Sequence, residues 1–236
     1  MERSGEFHLV ESGKSWEKKV WVEVVDFIKH SFNPNIDLSQ RIKDEVTNPE
    51  RYLGHGGAGK VFDLGNNVCI KMMRNRHADP NRELYNLGNS VSVEAEIQNR
   101  LRDFEVQGVF VPHIVGYYAG KESAAIVMER LEAVNLQEII NKKAELPENF
   151  NLDAFFDGLY AYVEEMHDKF KIVHNDLEAR NVMVDQKTGQ ARVIDFGRSI
   201  VLTDKGNENE RLKDKDFEKI DTIFSKLETF LKTKAA

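Results

Sequence analysis

Asp176, Asn181 and Asp195 are the residues of this chain whose types and spacing most directly suggest chemistry. They lie in His174-Asn175-Asp176-Leu177-Glu178-Ala179-Arg180-Asn181 and, shortly downstream, in Asp195-Phe196-Gly197. Two apolar strands carry them, Asn181-Val182-Met183-Val184 and Ala191-Arg192-Val193-Ile194. Between the strands, Asp185-Gln186-Lys187-Thr188-Gly189 reads as a turn, because Asp and Gly supply the local hydrogen bond and the positive φ of a reversal. The hairpin brings together an acid at 176, an amide at 181 and a second acid at 195. One base and two metal ligands make up the set that phosphoryl transfer from ATP requires.

A second group lies upstream. Gly54-His55-Gly56-Gly57-Ala58-Gly59-Lys60-Val61 fits G-x-G-x-x-G and nearly fits a P-loop. A P-loop needs Ser or Thr at 61 and a helix behind it. Here Val61-Phe62-Asp63-Leu64 reads as a strand, followed by a turn at Gly65-Asn66-Asn67 and the strand Val68-Cys69-Ile70-Lys71. Glycines allow a backbone to close over phosphates and point N–H groups at them. The bland alternative for the loop is an ordinary flexible hairpin.

Lys71 needs a carboxylate to hold it. The helix read over 92–101 places Val93, Ile97 and Leu101 on one face and offers Glu94 or Glu96, which project in different directions. Either could instead be a solvated helix charge.

Strand, glycine loop, strand, a strand ending in Lys, and the later loop resemble the protein-kinase superfamily from about Tyr52 to Phe230. The resemblance implies an α+β, bilobal fold with a small antiparallel-sheet N-lobe and a truncated helical C-lobe. It implies residues 1–49 as an N-terminal extension, 50–131 as N-lobe and hinge, and 132–236 as C-lobe. ATP and Mg2+ are the implied cofactors. Gly54, Gly56, Gly57 and Gly59 would cover the nucleotide, and Lys71 would contact the α- and β-phosphates. Glu94 is the favoured partner of Lys71, since Leu101 follows it two turns later, with Glu96 the alternative. Met128 would back the adenine pocket, and the backbone of Glu129 to Leu131 would bond the base. Asp176 would be the base, and Asn181 and Asp195 would hold magnesium. His174 would be a structural residue beneath the loop, and Asp216 would brace the loop from below.

Three departures carry weight. Asn175 stands where the family usually has Arg, which makes switching through a phosphorylated activation loop doubtful. Glu178 stands where Ser/Thr kinases usually have Lys, while Arg180 occupies the place of an Arg in many tyrosine-kinase loops. Arg180 would supply positive charge toward the γ-phosphate or acceptor, or simply pair with Glu178. No Ala-Pro-Glu segment lies between Gly197 and Asp216, where the last helix is read to begin, and no further helices follow it. That shortness resembles compact kinases such as the RIO group, and more closely the OspG, NleH and HopBF groups of bacterial effector kinases.

The remaining elements position these groups. A strand is read over 109–115 with Tyr117-Tyr118, and a buried one over 124–129. Asn135 caps a short helix from Leu136 to Lys143. A long amphipathic helix from Asp153 carries Phe155, Phe156, Leu159, Val163, Met166 and Phe170, a stripe that reads as core. Within the extension, 15–32 favours an amphipathic helix stopped by Asn33-Pro34-Asn35, with a strand as competitor because of Val20-Trp21-Val22. It would be a partner-binding attachment or a cover for apolar surface.

The chain has 236 residues, 31% charged, with a net charge of −7, which argues against a general nucleic-acid binder. No apolar run approaches the roughly 18 residues of a membrane span, and no signal-like start is present. The lone Cys69 points to a reducing compartment, so the reading is cytoplasmic or exported from a bacterium into a host cytosol. The expected function is a minimal ATP- and Mg2+-dependent protein kinase, Ser/Thr rather than Tyr, acting on a protein substrate, with a regulatory partner left open. The alternatives are a small-molecule phosphotransferase of the aminoglycoside or choline type, or a kinase-shaped binding module.

Overall fold

The computed structural model describes residues 6–9, 49–56, 59–65, 67–74, 90–119, 123–203 and 206–235. They divide into two compact units, one within residues 1–95 and 113–130, the other within 96–112 and 131–236.

The first unit is built on one antiparallel sheet. Its strands are β1 (Glu6–Leu9), β2 (Tyr52–Gly56), β3 (Gly59–Gly65), β4 (Val68–Arg74), β5 (Ile114–Ala119) and β6 (Ser123–Glu129), in the order β1-β5-β6-β4-β3-β2. Successive side chains of a strand point to opposite faces, and this sorts the apolar residues into two clusters. Phe62, Val68, Ile70, Tyr118, Ala125 and Val127 pack on one face. Met73, Ala124, Ile126 and Ile114 pack on the other, with Val91 and Ala95 of helix α1 (Val91–Arg100). Lys71 shares the parity of Met73, so it points to the helix-covered face.

The strand β1 was not legible in the extension, where four residues are too few to show a period. The helix read over 15–32 lies outside the described residues. The strand read from Val109 begins instead at Ile114. Gln107 (φ 49) and Gly108 (φ 77) are both left-handed, and Val106 and Val109 exchange backbone hydrogen bonds across them. Pro112 then offers no N–H, and its carbonyl accepts from Gln98 Nε2 at 2.7 Å. The buried face of α1 also differs from the expected one. Val93 is 40% exposed, while Val91, Glu94, Ala95 and Gln98 are buried. Glu94 and Gln98 have polar partners that make their burial tolerable, so the helix turns Val93 outward.

The second unit contains β7 (Ala133–Asn135), α2 (Leu136–Ile140), α3 (Leu152–Glu165), a π turn at Met166–Phe170, β8 (Ile172–Val173), a 3-10 turn at Ala179–Asn181, β9 (Val182–Asp185), β10 (Ala191–Val193), β11 (Ile200–Val201) and α4 (Gly206–Ala235). The sheets are β10-β9-β7 and β11-β8. Asn135 Oδ1 accepts from Gln137 N at 2.8 Å, the cap expected at that position. The helix behind it ends at Ile140, short of Lys143, because Lys142 is left-handed (φ 60). α3 is capped by Asn151 Oδ1 on Ala154 N. It buries Tyr162 together with Phe155, Phe156, Leu159 and Val163, the last four each worth roughly 1.5–3 kcal/mol of transfer free energy. α4 begins ten residues before the expected Asp216; residues 206–215 are polar apart from Leu212 and show no apolar period that would mark the start. Its buried Ile220, Ile223 and Leu227 share the core with α3.

Candidate active site

The loop from His174 to Asn181 is held from beneath by one carboxylate. Asp216, wholly buried on α4, accepts from His174 N through Oδ2 and from Asn175 N through Oδ1, both at 2.8 Å. Its Oδ2 also lies 3.0 Å from His167 Nε2. Backbone N–H groups pointing at a buried carboxylate fix the loop.

His174 is buried. Its Nε2 lies 3.0 Å from Ile194 O, and its Nδ1 faces Asp176 N at 3.4 Å. Those partners assign the proton to Nε2 and leave Nδ1 as acceptor. The ring packs on Phe196, with centroids 4.9 Å apart. An imidazole occupied on both nitrogens is a spacer between the loop and the Asp195 segment.

Asp176 stands at the head of the loop. Arg180 Nη2 reaches its Oδ1 at 3.0 Å and its Oδ2 at 3.1 Å. Asn181 Nδ2 donates to Asp176 O at 2.7 Å and to its Oδ2 at 3.1 Å. The Asn181 amide is therefore oriented, and among the described residues nothing donates to its Oδ1. Asp195 is half-buried and left-handed (φ 67), and its Oδ1 accepts from Gly197 N at 3.4 Å. The hairpin β9–β10 that joins these segments pairs Val182 with Val193. Asp185, in its turn, is drawn up by burial, but the Thr188 backbone N–H, the Arg192 guanidinium and the Lys187 N–H outweigh this and leave its carboxyl below the usual range.

Glu178 is not chiefly the partner of Arg180. Lys219 Nζ takes it at 2.8 Å, against 3.8 Å for Arg180 Nη1. The hydrogen bond from Lys219 is the main reason its carboxyl falls below the usual range. Lys215 Nζ donates to Asn175 Oδ1 at 2.8 Å, and Asn175 Nδ2 donates to Arg198 O at 3.2 Å. Sequence reasoning missed Lys215, Lys219, Arg198 and His167. The i,i+4 spacing of Lys215 and Lys219 on one helix face was the available signal.

In the first unit, Lys71 Nζ donates to Glu94 Oε1 at 2.6 Å, with both side chains buried. Glu96 is exposed. Of the glycines, Gly54 adopts φ +155, and a Cβ at Gly59 would lie 2.0 Å from Met72 O. Gly59 therefore serves the close approach of β4 to β3. Gly56 ends β2, and Gly57 lies outside the described residues. Glu129 N donates to His113 O and Arg130 N to Asn67 O, both at 2.8 Å. Of the three backbone N–H groups from Glu129 to Leu131, only that of Leu131 has no partner among the described residues. Cys69 Sγ donates to Glu129 O at 3.6 Å, and burial pushes the thiol up to about 12.

An antiparallel sheet with a Lys–Glu pair, and a helical unit carrying a braced Asp loop, define a kinase domain, and the chain belongs to the protein kinase domain family, whose match covers residues 47–218. It is 30% identical to the probable serine/threonine-protein kinase kinX of Dictyostelium discoideum over 184 residues, 75% of this chain and 16% of that protein. It is 30% identical to CBL-interacting protein kinase 17 of Oryza sativa subsp. japonica over 166 residues, 67% of this chain and 33% of that one. With the serine/threonine-protein kinase PknA of Nostoc sp. it shares 26% over 170 residues, 66% of this chain and 28% of the relative. The chain thus spans a third or less of the length of these three relatives. No helix among the described residues is long and apolar enough to cross a membrane.

Proposed function

We propose that the chain is a protein kinase of minimal form that transfers the γ-phosphate of ATP to a Ser or Thr hydroxyl of a protein. The observation that carries this reading is Asp176, presented on a loop whose backbone is bonded to buried Asp216. The residues suit magnesium as well. Asn181 has its amide nitrogen committed to Asp176 and its oxygen turned away, and Asp195 adds a carboxylate, both hard oxygen donors. No group of three or more His, Cys, Asp or Glu among the described residues could hold a metal, and a site completed by phosphate oxygens needs none. When bound, Mg2+ and ATP supply the phosphoryl group and offset the charge that develops on it.

The residues of the chain do the rest. Asp176 orients the acceptor hydroxyl and takes its proton late, as the acceptor oxygen bonds to the γ-phosphorus and the bridging oxygen leaves with ADP. Arg180 swings off Asp176 when the acceptor enters. Lys71, held by Glu94, would supply positive charge to the α- and β-phosphates. Asn181 and Asp195 would hold the metal. The eight residues separating Gly197 from α4 support the minimal form. An effector role on a host protein, and stimulation by a partner, rest on the resemblance to short effector kinases.

Labelled ATP offered with mixed protein acceptors and, separately, with small alcohols tests the reading. Label is expected on Ser and Thr of protein, and Asp176→Asn should reduce it at least about 100-fold. Transfer to small alcohols alone would establish the small-molecule phosphotransferase instead.

A further inference from the structure

Arg198 immediately follows the Asp195-Phe196-Gly197 segment, and its backbone is immobilised. Its carbonyl accepts from Asn175 Nδ2 at 3.2 Å, while Asn175 Oδ1 is held by Lys215 at 2.8 Å. The flanking residues are tied to the same loop. Ser199 Oγ donates to His174 O at 3.3 Å, Ile200 pairs with Val173, and Leu202 N donates to Lys171 O at 2.7 Å. The start of the guanidinium's reach is therefore fixed, yet its end makes no hydrogen bond among the described residues. Arg198 Nη1 lies 3.9 Å from Asp176 Oδ1, beyond hydrogen-bond range, and the side chain is 59% exposed.

The reason lies in the valence of the nearby acids. Asp176 already accepts from Arg180 on both oxygens and from Asn181 on one. Glu178, which lies 3.8 Å from Arg180, is taken by Lys219 at 2.8 Å. Two guanidinium groups thus face one carboxylate that already accepts three hydrogen bonds. An acceptor hydroxyl docking on Asp176 competes with Arg180 for it, which leaves Arg198 exposed and Arg180 with only Glu178 at 3.8 Å beside the reacting hydroxyl. Planar guanidinium binds carboxylate or phosphate in a bidentate manner, and more strongly than it binds a neutral acceptor.

We infer that Arg198, together with Arg180, selects acceptors in which the Ser or Thr hydroxyl is flanked by an acidic side chain. The inference rests on the proposed kinase reading and names the substrate class of that same site. Arg198 is the specificity-determining member, because Arg180 is shared with the base. An acidic flank should be drawn to the surface of a chain whose overall charge is negative only through such a local concentration of cations.

The test uses the full chain, MgATP and a dephosphorylated peptide library made from a proteome digest. Labelled Ser and Thr sites are mapped by mass spectrometry, and the residues on either side are counted against the unlabelled background. Wild type should enrich Asp or Glu roughly tenfold at one flanking position. Arg198→Ala should abolish the enrichment, Arg198→Lys should keep part of it, and Arg198→Glu should turn it toward Lys and Arg. The effect should fall on KM for an acidic-flanked peptide rather than on kcat. Because the readout is a ratio within each variant, an overall loss of rate does not obscure it, and circular dichroism verifies folding. Labelled sites without acidic enrichment, or enrichment unchanged in Arg198→Glu, would overturn the inference while leaving the kinase reading intact. Absence of transfer to any acceptor would overturn both.

Discussion

Lys71 and Asp176 are held by opposite means. Lys71 is fixed by a side-chain contact, 2.6 Å to Glu94 on a neighbouring helix. The Asp176 loop is fixed through its backbone, with two N–H groups on Asp216, its own N–H on His174, and Asn181 on its carbonyl. A charge that must only be present can rest on one partner. On the proposed reading Asp176 is a base that must meet a particular hydroxyl, and such a base needs its backbone fixed, because an ångström of drift costs rate steeply. The two regions should therefore respond differently to substitution.

The largest effect is expected at Asp216. Asp216→Ala removes the acceptor shared by His174 N, Asn175 N and His167, and should cost roughly 3–5 kcal/mol in urea unfolding. A loss below about 1 kcal/mol would mean that the loop is held by something else. Lys71→Met should cost roughly 3 kcal/mol by taking the lysine from buried Glu94. Combining it with Glu94→Leu should recover most of that stability without recovering activity. Recovery of both would make the pair structural only.

Two smaller effects probe the cores behind the regions. Tyr162 is fully buried in α3, its hydroxyl has no hydrogen-bond partner among the described residues, and burial pushes the phenol up. Tyr162→Phe should stabilise the second unit by about 1 kcal/mol in the same assay. In the first unit the Cys69 thiol is raised from 9.0 to about 12 by burial, then by the charge of Asp63, against the lowering effect of Arg130. The folded state keeps this proton longer than the unfolded state, so its contribution is fully present below pH 9 and is lost as pH rises toward 12. Cys69→Ala should flatten that part of the stability profile, and native Cys69 should react slowly with a disulfide reagent at pH 8. Rapid labelling would contradict the burial.

What was legible in the sequence follows from what repeats or punctuates. The hairpin around Asp185-Gly189, the glycine-rich strand pair and the stripe of α3 each carry a period or a turn signal, and each is an element of the fold. The start of α4 was hidden because Gly206 to Lys215 has no apolar residue at helical spacing apart from Leu212. The outward turn of Val93 was hidden because burial of Glu94 depends on Lys71, 23 residues away in sequence. Ion pairs of this kind leave no local pattern. The same holds for Lys215 and Lys219, whose partners Asn175 and Glu178 sit 40 and 41 residues earlier. The motifs marked Asp176, Asn181 and Asp195, and the resemblance also marked Glu94, His174 and Asp216; Lys215, Lys219 and His167 are known only through contacts.

The most direct measurement compares phosphate transfer by wild type with that of Lys71→Met, Asp176→Asn and Asp195→Asn, each shown by circular dichroism to be folded. Each folded variant should lose at least about 100-fold in kcat/KM. A folded Asp176→Asn or Asp195→Asn protein that transfers phosphate at the wild-type rate would contradict the proposed kinase reading.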